Sequence, residues 1–109
     1  MFPIFSFPVH CQPPQKPSVH DVTATSASIE WVYNGACVND GFVTGYRVTY
    51  TSGASRLQLD IPDAGSTSAF LQNLTRLTTY QVEVMVLTSN GKHSVPSEPV
   101  QFITKEIGE

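Results

Sequence analysis

The sequence has few charges, and its basic residues form no cluster. Charged residues make up only 14% of the 109 positions, and the formal net charge is −3. The six basic residues are scattered along the chain: Lys16, Arg47, Arg56, Arg76, Lys92 and Lys105. Because binding to a nucleic-acid backbone or to an anionic lipid surface requires a basic patch, we expect neither partner.

Long apolar runs are also missing. No segment approaches the roughly 20 apolar residues that a membrane-spanning helix needs. The apolar stretch at residues 1–9 is short, is interrupted by Pro3 and Pro8, and lacks the basic region that begins a secretory signal. We therefore expect no direct membrane insertion. Residues 1–13 are interpreted as an unstructured or extended leader, with a degenerate signal remnant as the alternative.

The residue patterns of catalytic and metal sites are absent from the sequence. His10, His20 and His93 are far apart, and only two cysteines accompany them. Zinc needs three or four ligands held together, so this spacing predicts no metal site. No Ser/His/Asp arrangement stands out, and the seven glycines form no phosphate-binding loop. We expect no enzyme activity, no catalytic residue and no cofactor.

What the sequence does have is alternation of apolar and polar residues with the period of two that marks β-strands. This pattern predicts seven strands, at Val19–Thr25, Ala27–Val32, Tyr46–Thr51, Arg56–Ile61, Ala69–Leu71, Tyr80–Val86 and Val100–Thr104. The dipeptide Asn90–Gly91 predicts a tight hairpin, because both residues tolerate a positive φ. Each strand has one apolar face that must be buried, which implies two sheets packed face to face.

The alternation also predicts which side chains point inward. Leu57 belongs to the inward set of its strand, whereas Arg47 and Thr49 belong to the outward set of theirs. Glu83 lies on the outward face of the longest strand, and a cross-strand pair between Arg47 and Glu83 is expected there.

Several motifs, taken in order, resemble the fibronectin type III domain family. Val43–Tyr50 is similar to the third strand of that family, and Trp31 stands where the family has its core tryptophan. Leu74, Thr78 and Tyr80 match its pattern before the sixth strand.

The resemblance covers residues 14–104 and implies an all-β fold: a two-sheet, seven-strand Greek-key sandwich, immunoglobulin-like in architecture. Residues 105–109 are then a tail or linker. The expected core centres on four side chains, Trp31, Tyr46, Leu74 and Tyr80. A buried tyrosine hydroxyl needs a partner, so we expect that of Tyr80 to bond to a backbone carbonyl of residues 74–77.

Two features bear on cellular location. Asn73-Leu74-Thr75 is an N-glycosylation acceptor pattern, with Asn73 expected at an exposed corner and Leu74 in the core. In the implied topology Cys11 and Cys37 lie at the same end of the sandwich, where a disulfide is possible. The alternatives, a chance triplet and two free thiols, stay open.

The loops at that same end are the candidate partner-binding surface, because loops on a rigid sandwich carry most binding residues. The candidate residues are Asn39, Asp40, Phe42, Asn90, Lys92 and His93. Phe42 has two interpretations: it covers the edge of the core, which is the simpler one, or it anchors a partner.

The resemblance thus implies a non-catalytic protein–protein interaction or adhesion module of a matrix, adhesion or receptor protein. The expected location is extracellular, either secreted or in an ectodomain, and the isolated domain is expected to be monomeric. The alternatives are a passive spacer in a tandem array and an intracellular scaffold or enzyme-accessory domain in the cytoplasm.

Overall fold

The computed structural model describes residues 11–35, 37 and 41–107. The strands in these residues are β1 (Ser18–His20), β2 (Ala27–Glu30), β3 (Val43–Ser52), β4 (Ser55–Ile61), β5 (Ser68–Leu71), β6 (Thr79–Thr88) and β7 (Val100–Ile103). They form two antiparallel sheets with the orders β1-β2-β5 and β4-β3-β6-β7. The predicted seven-strand sandwich is confirmed.

The core lies between the sheets and contains all four predicted side chains. Trp31, Tyr46, Leu74 and Tyr80 are each at most 5% exposed. The Trp31 and Tyr46 rings pack with their centroids 5.4 Å apart, and the Tyr46 hydroxyl donates a hydrogen bond to the Ala64 carbonyl at 3.0 Å. Burial raises the pKa of Tyr46 above its usual value, and the nearby Asp63 carboxylate adds to this effect.

The first strand is shorter than predicted. It ends at His20 instead of Thr25, because Asp21 has a positive φ of 53° that no extended strand accommodates. The chain then turns, and the Thr23 amide donates to the Ser26 carbonyl at 2.8 Å. The alternation of side chains was therefore a poor guide to where this strand stops.

Two side chains do not have the predicted exposure. Leu57 is 47% exposed, because it lies on an edge strand that has a partner on one side only. Thr49 is buried although it belongs to the outward face. Its short side chain lies in register between the longer Gln58 and Glu83, which accounts for its burial. The period of two predicts on which face of the sheet a side chain lies, but it does not predict how far the neighbouring side chains cover it.

Candidate functional site

The start of β3 and the turn after β6 meet at one end of the sandwich. The Phe42 amide donates to the Ser89 hydroxyl at 3.2 Å, and the Ser89 amide donates to the Phe42 carbonyl at 2.9 Å. We call the surface formed by Phe42 and the turn Ser89–His93 the loop end. The residue that precedes β3 is thus bonded to the turn after β6.

Gly41 makes this close approach possible. Its φ is +86°, and a Cβ at this position would overlap the Ser89 hydroxyl. Both constraints favour glycine, which has no Cβ and adopts positive φ at little cost. The position of Phe42 therefore depends on the glycine that precedes it.

The turn after β6 differs in detail from the predicted tight hairpin. The Gly91 amide donates to the Thr88 carbonyl at 3.1 Å, and the Thr88 amide donates to the Lys92 carbonyl at 3.0 Å. Gly91 has a φ of 76°, whereas Asn90 does not have a positive φ. The hairpin therefore has a three-residue loop with one left-handed residue, a common type when glycine takes the third position.

All four of the predicted binding residues that the structure describes lie together at the loop end. Asn90, Lys92 and His93 are exposed, and Phe42 is 69% exposed. Phe42 therefore does not cover the edge of the core, which was the simpler of its two interpretations. The predicted residues Asn39 and Asp40 lie outside the described residues.

Cys11 and Cys37 are joined by a disulfide at the same end of the sandwich. Cys11 is buried, and the two residues also form an isolated antiparallel bridge. The bond ties the segment that enters β1 to the connection between β2 and β3. It closes a loop with a sequence separation of 26, and closing a loop of this size lowers the entropy of the unfolded chain by the equivalent of roughly 3.5 kcal/mol.

The opposite end of the sandwich, which we call the corner end, is the connection at residues 72–78. Asn73 is exposed there with a φ of 60°, while Leu74 is buried and its amide donates to the Thr25 carbonyl at 2.9 Å. This matches the arrangement expected for the acceptor triplet. A glycan on Asn73 would lie far from the loop end and would leave Phe42 open.

The Tyr80 hydroxyl bonds within the predicted segment, but as an acceptor. The Thr75 amide donates to this hydroxyl at 2.8 Å, whereas the expectation was a bond to a carbonyl. The Thr75 carbonyl is instead satisfied by the Thr104 hydroxyl, which donates to it at 2.7 Å. Both backbone groups of Thr75, at the corner end, therefore have a hydrogen-bond partner.

The expected pair between Arg47 and Glu83 is wrong. Asp60 lies directly opposite Arg47, whereas Glu83 lies opposite Thr49. The Arg47 guanidinium therefore binds Asp60 in a bidentate manner, with Nε to Oδ1 at 2.8 Å and the second bond at 3.1 Å. This hydrogen bonding holds the pKa of Asp60 below its usual value and raises that of Arg47.

Two serines position the segment after the loop end, a role that the sequence analysis did not assign to them. The Ser94 hydroxyl accepts the Val86 amide at 3.0 Å, and the Ser97 hydroxyl accepts the Val84 amide at 3.0 Å. Both serines are buried. These hydroxyls take the place of ladder carbonyls in a proline-containing stretch, and the Ser-x-x-Ser spacing beside Pro96 was the only signal for them.

The described residues hold no group of three or more His, Cys, Asp or Glu side chains arranged to bind a metal. In the same part of the chain, no helix has the length and apolar character required to cross a membrane. What the geometry does offer is an exposed aromatic ring on a bonded backbone, beside a turn that carries a lysine and a histidine.

Comparison with known proteins points to one family. The fibronectin type III domain model matches residues 12–103. No curated protein sequence matches the chain significantly.

Many solved structures share the fold. The chain is similar to a two-domain fibronectin type III segment of chicken tenascin, with 27% identity, a TM-score of 0.68 and coverage of 84% of this chain and 48% of that one. Domains A168–A170 of titin give 29% identity and a TM-score of 0.70, covering 96% of this chain and 35% of that one. The human contactin 1 domain, at 22% identity and a TM-score of 0.73 over 94% of this chain and 82% of that one, shows the fold alone.

Proposed function

This chain belongs to the fibronectin type III domain family, and we propose that it is an extracellular protein-interaction module that binds through its loop end. Members of this family are commonly adhesion, matrix or receptor modules and are typically non-catalytic. The observation that carries the proposal is Phe42. Its side chain is 69% exposed, although its backbone is bonded on both its amide and its carbonyl to Ser89.

An aromatic residue on a bonded backbone is a favourable binding anchor, because the backbone has little conformational entropy left to lose when a partner covers the ring. Lys92 lies in the adjoining turn and supplies a positive charge at the rim. Such rim charges influence the rate and specificity of association more than affinity. The loop end thus combines an apolar anchor with a charged rim, as protein interfaces commonly do.

The disulfide supports an extracellular location. Structural disulfides persist in oxidising compartments and are rare in the cytosol. The exposed Asn73 within its acceptor triplet is consistent with passage through the secretory pathway. Expression in a eukaryotic secretory system, followed by a glycan-removing enzyme, should lower the mass of the protein. The Asn73→Gln variant should show no such shift, and an unchanged wild-type mass would remove this support.

The binding proposal is tested by presenting the chain as a streptavidin tetramer to cells that display a library of ectodomains. We expect at least one specific interaction, weakened about 10-fold or more by Phe42→Ala, since central aromatic anchors contribute over ~1 kcal/mol. Phe70→Ala is the matched control, because Phe70 is also exposed, at 53%, but lies on β5 in the other sheet. A loss of binding in the control alone would contradict the proposed surface.

The similarity to titin domains supports a second candidate, a spacer or scaffold domain that sets distance within a longer chain. Under this alternative the ectodomain screen finds no partner for the wild type, for Phe42→Ala or for Lys92→Ala. For an intracellular version, protein isolated from its native source should carry two free thiols and no glycan.

A further inference from the structure

The two sheets do not protect their edges equally. Of the edge strands in the described residues, β1 has three residues and β5 and β7 have four each, whereas β4 has seven. The pairing of β4 with β3 contains no register shift, and no proline interrupts β4. Short strands, bulges, prolines and charged side chains are the usual devices that prevent edge pairing. β4 lacks the first three, and its two charged residues, Arg56 and Asp60, have opposite signs, so β4 is the edge most open to a strand of matching charge.

The hairpin before β4 determines which of its backbone groups point away from the sheet. Ser52 and Ser55 flank a two-residue loop with Gly53 at a φ of 54°, so they form a hydrogen-bonded pair. Bonding to β3 then recurs at every second residue of β4. The residues between them direct their amide and carbonyl outward: Arg56, Gln58 and Asp60. None of these three makes a backbone hydrogen bond to a loop in the described part of the chain.

The outward groups of β4 are self-complementary. When two copies of the strand run antiparallel about a twofold axis at Gln58, Arg56 of each copy faces Asp60 of the other. All three outward residues then meet outward residues, and each facing pair can exchange two hydrogen bonds. Moving the axis by one residue leaves one outward residue of each copy without such a partner. We propose that this chain forms a twofold homodimer by pairing β4 with β4 of a second copy.

The charges favour this register. Asp60 already accepts both hydrogen bonds from Arg47 of its own sheet, at 2.8 and 3.1 Å. Arg56 is exposed and forms no ion pair within the described residues. In the dimer the Arg56 guanidinium of one copy lies opposite the Asp60 carboxylate of the other, which places this carboxylate between two guanidinium groups. Opposite charges directly across two strands are stabilising, and like charges are destabilising.

The inward face of β4 is complementary as well. Leu57, which is 47% exposed in one copy, lies opposite Leu59 of the other and becomes partly covered. The two four-stranded sheets join into one continuous sheet, and the interface is isologous, as in most homodimers. An interface of one strand pair is small, so we expect reversible association with a dissociation constant on the order of 10–100 µM. This dimer departs from the monomer expected for an isolated domain.

Sedimentation velocity of the full chain over a range of concentrations tests the dimer. Arg56→Glu places an acid opposite Asp60, and Asp60→Lys places a base opposite Arg56, so each variant alone should dimerise at least 10-fold more weakly than wild type. An equal mixture of the two variants restores opposite charges in both facing pairs and should associate nearly as well as wild type. Lys105→Glu makes the same charge change as Arg56→Glu at an exposed position after β7, on the other edge of the sheet, and should leave association unchanged.

Gln58→Pro tests the backbone contribution. The Gln58 amide points away from β3, so proline there removes no bond within one copy, whereas it removes a donor at the centre of the dimer. The variant should keep the wild-type circular dichroism spectrum and sediment as a monomer. The proposal is overturned if wild type remains monomeric at millimolar concentration, or if association is unaffected by Gln58→Pro or by the two charge reversals.

Discussion

The two ends of the sandwich are held by different means. At the corner end, Leu74 is buried, the Thr75 amide and carbonyl bond to Tyr80 and Thr104, and packing and hydrogen bonds fix the chain. At the loop end, the bonds between Phe42 and Ser89 and a disulfide at the same end of the sandwich hold the chain, while Phe42, Asn90, Lys92 and His93 are exposed. Because the loop end depends little on side-chain burial, these four exposed residues are free to vary without loss of the fold.

The largest effect is expected from removing the covalent tie at the loop end. The double variant Cys11→Ser/Cys37→Ser should lose about 2–5 kcal/mol of unfolding free energy, because the unfolded chain regains the entropy of the opened loop. Chemical denaturation measures this loss. Reduction of the wild-type protein should lower stability by a similar amount, and a thiol reagent that finds two free thiols in the native, untreated protein would contradict the disulfide.

The next largest loss of unfolding free energy is expected at the corner end. Tyr80→Phe keeps the ring and its stacking on Phe102, whose centroid lies 5.6 Å away, but leaves the Thr75 amide without its partner. Because this bond is only partly buried, its loss should cost about 0.5–1.5 kcal/mol, the net contribution of a typical hydrogen bond. Denaturant unfolding of Tyr80→Phe beside Tyr50→Phe, a less buried tyrosine on β3, separates this bond from a general effect of losing a hydroxyl. Equal losses of stability in the two variants would show that the bond between Thr75 and Tyr80 contributes no more than the hydroxyl of Tyr50.

A smaller effect is expected from the exposed Arg47–Asp60 pair, which lies between the two ends. The folded-state pKa of Asp60 is depressed, so its contribution is present above the unfolded pKa of about 3.9 and is lost as the pH falls through the lower folded value. Since Asp60 is half exposed, the contribution should be only about 0.2–1 kcal/mol. The stability difference between wild type and Asp60→Asn should therefore persist at pH 7 and vanish in strong acid.

The same contrast explains what the sequence could predict. The core of the fold was accessible because Trp31, Tyr46 and Tyr80 each follow an alternation that only burial explains. The Arg47–Asp60 pair was not accessible, because the partner of a charged side chain depends on which strand lies opposite and in which register. The exposure of Phe42 depends on the Gly41–Ser89 contact, which joins residues distant in sequence and leaves no periodic signal.

The smallest effect on stability should come from Phe42→Ala. Truncating a buried phenylalanine costs about 3–5 kcal/mol, but Phe42 is 69% exposed, and surface substitutions usually change stability by less than ~0.5 kcal/mol. Denaturant unfolding of Phe42→Ala, measured beside Phe102→Ala as the buried counterpart on β7, checks this difference. A large loss in Phe42→Ala would mean that the ring stabilises the loop end itself, and the change in binding proposed for this variant would then reflect disturbed loops instead of a lost anchor. An unchanged unfolding curve together with lost binding would leave partner contact as the role of this side chain.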